Sequence, residues 1–237
     1  MLPLDRQNQL RERYRQVRTG WTTSGEVYEA AVREHLRVDM RVLDLGCGRG
    51  GLPEKLTNEL SGIFGMDAHR HSLVAYRDLR VYLCAGQSER LPFPTGAFQT
   101  ITAAWLLEHL HAPQATLREI QRVLAPGGHF IFLTPNGANP LLLANRLSIQ
   151  LPALQRALVP RLYERSPADT FPLCYRANTR RKLRQLAEES GLRLLSLEVV
   201  RDPTYAAFNE ILFRALIALE DLLPRGLGMH LVGVLQR

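Results

Sequence analysis

The sequence predicts an α/β fold: a seven-stranded, mostly parallel sheet with helices on both faces. Three observations carry that prediction. Short apolar runs alternate along the chain with segments of helical periodicity, the pattern that right-handed βαβ crossovers require. The first run, Val42-Leu43-Asp44-Leu45, breaks into the glycine-rich turn Gly46-Cys47-Gly48-Arg49-Gly50-Gly51. Backbone without Cβ can turn sharply there and approach a ligand closely. The 237 residues, 46% of them hydrophobic and 22% charged, suffice for one large domain with a substantial core.

The elements follow in order. Residues 4–17 read as a polar, arginine-rich helix stopped near Gly20. Thr22-Thr23-Ser24-Gly25 supplies caps for a helix over 26–36, with Val27, Ala30 and Ala31 at helical spacing. Strand one spans 41–45. A helix over 52–60 accommodates Pro53 in its first turn. Strand two, 62–66, ends at Asp67, and Ser72 caps a helix reaching Arg80. Strand three spans 81–85, and Leu91-Pro92-Phe93-Pro94-Thr95-Gly96 is a loop rich in turn formers. Strand four spans 100–105. The helix over 113–124 puts Leu117, Ile120 and Val123 on one face, and Pro126-Gly127-Gly128 reads as its stop before strand five, 129–134. A helix over 179–190 is closed by Gly191, and 192–200 and 229–236 complete the strands. Two segments exceed this pattern. Residues 139–175 interleave apolar side chains with arginines, and 205–223 carry a helical stripe through Phe208, Ile211, Leu212, Ala215, Leu216, Leu219 and Leu222.

The formal net charge is +7, and Lys55 and Lys182 are the only lysines. Between 140 and 182 stand eight basic residues against two acids, which is most of the excess. Such a segment can meet nucleic acid or an anionic membrane. The three cysteines, Cys47, Cys84 and Cys174, form no Cys-x-x-Cys, so neither a disulfide framework nor a zinc knuckle is implied. No signal-peptide pattern opens the chain and no stretch has the apolar length of a spanning helix, so a cytoplasmic location is expected.

The glycine turn alone fits two cofactors. Gly46, Gly48 and Gly51 satisfy Gly-x-Gly-x-x-Gly, and Asp67, 21 residues after Gly46, stands where an acid grips a ribose. That allows an NAD-dependent oxidoreductase. Asp44 argues the other way: a carboxylate two residues before the turn repels a diphosphate but can orient an ammonium group.

With its later motifs the chain resembles the class I S-adenosylmethionine-dependent methyltransferases of the type-11 group. The matching stretches are Val42 to Leu52, Gly65-Met66-Asp67, Ala85-Gly86-Gln87-Ser88-Glu89-Arg90-Leu91-Pro92-Phe93, Leu107-Glu108-His109-Leu110, the run from Glu119 to Gly128, and Thr134-Pro135-Asn136. The resemblance implies a Rossmann-like fold whose last strand is antiparallel, with helical lid insertions and S-adenosyl-L-methionine as cofactor. It implies one domain over 1–237: a helical lid at 1–38, a cofactor-binding core at 39–136, an acceptor lid at 137–178, and 179–237 completing the sheet around a helical insertion at 204–224. By position, Asp44 and Gly46 would face the methionine part, with the backbone of Gly48 and its neighbour Cys47 beneath the cofactor. Asp67 would take both ribose hydroxyls. Met66, Gln87 and Ser88 would meet adenine, and Ala104 and Trp105 would close the methionine end. Gln87 departs from the usual Asp but keeps an acceptor oxygen. His109 is the candidate base.

The resemblance says little about the acceptor. A small hydrophobic molecule fits, whether quinone precursor, aromatic natural product or lipid, and O-methylation is expected, with C- or N-methylation open. The alternatives are an NAD-dependent oxidoreductase, a nucleic-acid methyltransferase, and a non-catalytic S-adenosylmethionine-binding protein. No Asn-Pro-Pro-Tyr motif is present, so no nucleic-acid partner is expected. His69-x-His71 and His109-x-His111 lack further ligands at recognised spacing, so no metal is expected. The 139–175 segment is similar in position to the variable region of quinone-type O-methyltransferases, which leaves peripheral contact at the inner membrane face and a homodimer as partner expectations.

Overall fold

The computed structural model describes residues 4–56, 60, 62–76, 80–149, 172–207 and 209–237. The seven strands are β1 (Arg41–Leu45), β2 (Gly62–Asp67), β3 (Tyr82–Ala85), β4 (Phe98–Ala104), β5 (Leu124–Pro135), β6 (Arg193–Val200) and β7 (His230–Gln236). They form one sheet in the order β3-β2-β1-β4-β5-β7-β6. β1 to β5 pair in parallel, and β7 runs antiparallel between β5 and β6. The Rossmann-like sheet and its antiparallel last strand are therefore as expected. The order reverses between β1 and β4, and the open crevice beyond the strand ends at such a point is where α/β sheets bind ligands.

The strands alternate apolar side chains between two buried faces. Leu43, Leu45, Ile101, Phe130, Phe132, Leu231 and Leu235 pack on one face, against α5 (Pro113–Val123) and α7 (Arg180–Glu189). Val42, Ile63, Ile131, Leu133, Val232 and Val234 pack on the other with Tyr28 and Val32 of α2 (Ser24–Glu34). Thr23 and Glu26 form a capping box that fixes the start of α2. The remaining helices are α1 (Leu4–Val17), α3 (Leu52–Lys55), α4 (Arg70–Val74), α6 (Pro140–Ile149) and α8 (Glu210–Leu222).

A third cluster lies apart from the sheet. Leu10 and Tyr14 of α1 pack against Ala207, and against Phe213 and Leu216 of α8, with Trp21 and Leu141 at its edge. Arg13 and Tyr14 of α1, and Arg18 just beyond it, reach acids of α8. Arg13 grips Glu210 through two hydrogen bonds of 2.7 and 2.8 Å, Arg18 pairs with Asp221, and the Tyr14 hydroxyl donates to Glu220. Trp21 Nε1 donates to the Arg201 carbonyl at 2.6 Å.

Several boundaries differ from those predicted. α4 begins at Arg70, ahead of Ser72, because Asp67 Oδ1 accepts the His69 backbone N–H and turns the chain early. Pro126-Gly127-Gly128 is not a helix stop. α5 gives way to β5 at Leu124, and the strand runs through these residues. The chain end ladders onto them, Gly127 N–H donating to the Arg237 carbonyl and Arg237 N–H to that of Gly128. A Cβ on Gly128 would lie 2.9 Å from the carbonyl oxygens of Ala125 and Gln99, so only glycine fits. The helix predicted over 52–60 is α3 at Leu52–Lys55, with 57–59 outside the described residues. Most of the basic and apolar segment at 139–175 also lies outside them, its described parts being 139–149 and 172–175. Among the described residues no helix is long and apolar enough to cross a membrane.

Candidate active site

A cleft of about 690 Å³ opens beyond the ends of β1, β2, β3 and β4. Its walls include Gly46, Cys47, Gly48, Met66, Asp67, Gln87, Ser88, Ala104, Trp105 and His109. Nine of the ten site residues expected around the cofactor, together with the candidate base, thus stand in one place or border it; Asp44 is the exception.

The glycine turn owes its shape to β2. Gly46 and Cys47 N–H groups both donate to the Met66 carbonyl, at 2.7 and 3.2 Å. Gly46, Gly48 and Gly50 have positive φ, a conformation that glycine adopts without the steric penalty of a side chain. Asp67 then ties two loops together. Its Oδ2 accepts the Gly48 N–H at 2.9 Å and its Oδ1 the His69 N–H at 2.7 Å. A carboxylate has about four lone-pair sites, so one per oxygen remains for a diol.

Asp44 lies beneath the turn. It is buried, and its Oδ1 accepts the Thr102 hydroxyl at 2.9 Å. Its Oδ2 would lie 3.7 Å from a Cβ on Gly51. Burial pushes its carboxyl up to about 7, with the nearby Asp67 charge adding to the rise. A cationic group arriving at the turn would draw that proton off.

Trp105 leaves β4 with φ of 59° and donates its N–H to the Leu133 carbonyl at 2.9 Å. A bulky residue there is a true conformational outlier, and such strain gathers at ligand sites. Its ring stands edge-on to that of His230, with centroids 5.0 Å apart, and is 41% exposed at the cleft. His109 follows on the turn Leu107–His109. Its Nδ1 lies 2.9 Å from the Pro172 carbonyl. A carbonyl can only accept, so Nδ1 carries the proton and Nε2 is the basic nitrogen.

Glu108 is a positioning residue that the sequence reading did not single out. It is buried, Oε2 accepts the Thr134 hydroxyl at 3.1 Å, and Asn178 Nδ2 donates to that hydroxyl oxygen at 2.6 Å. Its backbone carbonyl accepts N–H groups from Cys174 and Tyr175. Glu108 thereby pins the turn that carries His109 both to β5 and to the returning chain. Its place next to His109 in Leu-Glu-His-Leu was the available signal. Burial pushes its carboxyl up to about 7 from an ordinary 4.5. Between those values the folded chain holds a proton that the unfolded chain has released. The stability this group contributes is therefore full at low pH and lost as pH rises through about 7. Glu108→Gln removes the titration. Its melting temperature relative to the wild type should rise between about pH 5 and pH 8 in paired thermal scans, and a flat difference would contradict the assignment.

The described lining takes nothing from the N-terminal helices. Tyr14 and Trp21 belong to the α1–α8 cluster and Tyr28 to the core under α2, so these aromatic residues are packing rather than cleft wall. His69 and His71 rings lie 6.2 Å apart, and His111 Nδ1 lies 3.4 Å from Cys174 Sγ. Among the described residues no group of three His, Cys, Asp or Glu could hold a metal ion.

The residues present fit S-adenosylmethionine on two observations: a backbone-anchored acid with spare acceptor capacity beside the glycine turn, and a buried carboxyl whose proton a cation would displace. Comparison with known proteins agrees. A family model described as "Methyltransferase domain" matches residues 14–197. A demethylmenaquinone methyltransferase of Symbiobacterium thermophilum is 32% identical over 117 residues, covering 44% of this chain and 46% of that protein. A ubiquinone biosynthesis O-methyltransferase of Cronobacter sakazakii is 31% identical over 104 residues, covering 40% and 42%. The chain thus spans somewhat under half the length of these relatives. Among solved structures, the putative methyltransferase in complex with the Haloferax volcanii Trm112 activator superposes with a TM-score of 0.62 at 18% identity, covering 98% and 92% of the two chains. The [4+2]-cyclase SpnF superposes with a TM-score of 0.58 at 17% identity, covering 92% and 86%. These two likenesses concern the fold alone, and a fold does not fix a reaction.

Proposed function

The chain belongs to the S-adenosylmethionine-dependent methyltransferases, and from that premise we propose that it methylates an oxygen of a small hydrophobic acceptor. The observation that carries the proposal is the pairing, in one cleft, of the Gly46–Asp67 cradle with His109 and apolar walls from Trp105, Leu106, Leu110 and Pro172. The quinone-related names of the matched relatives favour a phenol or quinol as acceptor.

In this reading Asp67 would hold the ribose diol, Met66, Gln87 and Ser88 would border the adenine, and Gly46 and Cys47 the methionine end, with Asp44 below. When bound, the cofactor supplies an electrophilic methyl on a sulfonium sulfur that leaves as a thioether. His109 Nε2 accepts the acceptor's hydroxyl proton, its ring fixed through Nδ1 by the Pro172 carbonyl. Trp105 and Leu106 would give the acceptor an apolar wall in the same cleft.

A labelled-methyl assay across quinols, phenols and lipid extracts tests this. Label should enter an organic-soluble product with a hydroxyl-bearing acceptor. His109→Ala should lower kcat by about 10²- to 10⁴-fold at neutral pH, with a smaller loss at high pH where a phenol ionises unaided, and should leave S-adenosylhomocysteine affinity unchanged. A protein that binds S-adenosylhomocysteine yet labels no hydroxyl acceptor would overturn the proposal.

A further inference from the structure

α8 presents two faces of different fate. Phe213 and Leu216 are buried against α1, as the third cluster requires. On the opposite side Ile211, Ala215, Ala218 and Leu222 are all exposed, Ile211 and Leu222 at 82% each. Their spacing of four, three and four residues is that of a coiled-coil seam, and on a 3.6-residue helix they fall within one narrow stripe. Both large apolar residues stand at the ends of the stripe and both alanines at its centre.

That pattern is complementary to itself when reversed. We propose that two copies of the chain associate through an antiparallel, two-fold pairing of α8 with α8 of the second copy. The two-fold axis passes between Ala215 and Ala218. Each Ile211 then meets Leu222 of the other copy, and each Ala215 meets the other Ala218. The alanines let the helices approach to about 8 Å, the short end of helix packing. The flanks agree. Leu212 and Leu219 lie along one edge of the stripe, and the reversal sets each against the other's counterpart. Arg214 and Asp221 lie along the other edge, with side chains 79% and 51% exposed, and each keeps a partner within its own chain, Glu210 and Arg18. In the antiparallel pair each Arg214 faces the opposite Asp221, twice by symmetry. A parallel pairing would set Arg214 against leucine and lose both ion pairs. One 13-residue helix on each side makes an interface at the small end of the specific range, so the dissociation constant should be on the order of micromolar.

Sedimentation velocity on the full chain between about 1 and 100 μM should show a monomer–dimer equilibrium. Ala218→Glu, which puts like charges at the axis, should give monomer throughout with S-adenosylhomocysteine binding intact. Arg214→Asp puts two acids, and Asp221→Arg two bases, at the positions that face each other across the pair. Each variant alone should dimerise at least tenfold more weakly, and an equimolar mixture should recover the heterodimer. A chain that stays monomeric at 100 μM, a dimer indifferent to Ala218→Glu, or a mixture no tighter than its parts would overturn the proposal. A monomer that instead sediments with anionic phosphatidylglycerol vesicles, and loses that with Ala218→Glu, would assign the stripe to a lipid surface.

Discussion

Asp67→Ala should weaken S-adenosylhomocysteine binding on the order of 100-fold or more. The carboxylate of Asp67 accepts the Gly48 and His69 N–H groups and faces the cleft with its remaining lone pairs. Hydrogen bonds to a charged group contribute about 1.5–3 kcal/mol each. Losing two to a ribose diol alone accounts for about a hundredfold. The turn also loses its anchor, so Gly48 would no longer be held in the ligand-ready position. Asp67→Asn keeps one acceptor oxygen at the same place but turns an amide donor towards a backbone donor. It should fall between the wild type and alanine. Titration calorimetry of the three proteins gives the ranking directly, and an alanine variant within threefold of the wild type would remove Asp67 from the site.

Gly233→Ala is the substitution expected to cost the fold most, about 3 kcal/mol or more, the upper part of the range for overpacked cores. Gly233 of β7 stands opposite Phe132 of β5. A Cβ at Gly233 would lie 2.3 Å from Phe132 Cζ and 2.6 Å from Cε1, far inside contact distance. Phe132 is fully buried in the sheet core and has no space to swing into. For a chain of this size the loss corresponds to a fall in melting temperature of about 6–12 °C. Phe132→Leu in the Gly233→Ala background should recover part of it. Unchanged melting in Gly233→Ala would contradict the β5–β7 register.

The sheet was legible because its strands are short, apolar and separated by turns whose residues have one conformational reason to be there. The glycine turn, Asp67 and the Gln87-Ser88 stretch were legible as a site because each sits at the end of a parallel strand, and parallel strands bring their ends to one edge. What could not be read depends on contacts between distant residues. Nothing in an arginine-rich helix says that Glu210, Glu220 and Asp221, some 200 residues away, receive Arg13, Tyr14 and the adjoining Arg18, so the bracing of the N-terminal helix on α8 could not be read. The early start of α4 follows from where Asp67 points its carboxylate, and Ser72 offered the more obvious local cap. Pro-Gly-Gly is punctuation by composition, yet the chain end supplies the hydrogen bonds that carry the strand through it. In the sequence Glu108 stood only as the acid of Leu-Glu-His-Leu beside His109. Its burial against Thr134 appears only when β5 and the returning segment at Cys174 close over it.

Two buried carboxyls under the cleft, Asp44 and Glu108, both hold their protons to about pH 7, chiefly because they are removed from water. They differ in what surrounds them. Glu108 sits in a closed network that fixes a turn, whereas Asp44 sits below the glycine turn, where an ammonium group would compensate its charge. Cofactor binding should therefore release a proton near neutral pH, visible as a dependence of the binding heat on the ionisation enthalpy of the buffer. That dependence should vanish in Asp44→Asn.

The glycine turn between β1 and β2 is assigned to a sulfonium cofactor rather than a dinucleotide, although its glycines fit both. Calorimetric titration of the wild-type chain with S-adenosylhomocysteine and, in parallel, with NAD tests it most directly. A saturable one-to-one heat with S-adenosylhomocysteine and none with NAD is the predicted result. Saturable binding of NAD with no heat from S-adenosylhomocysteine would contradict it.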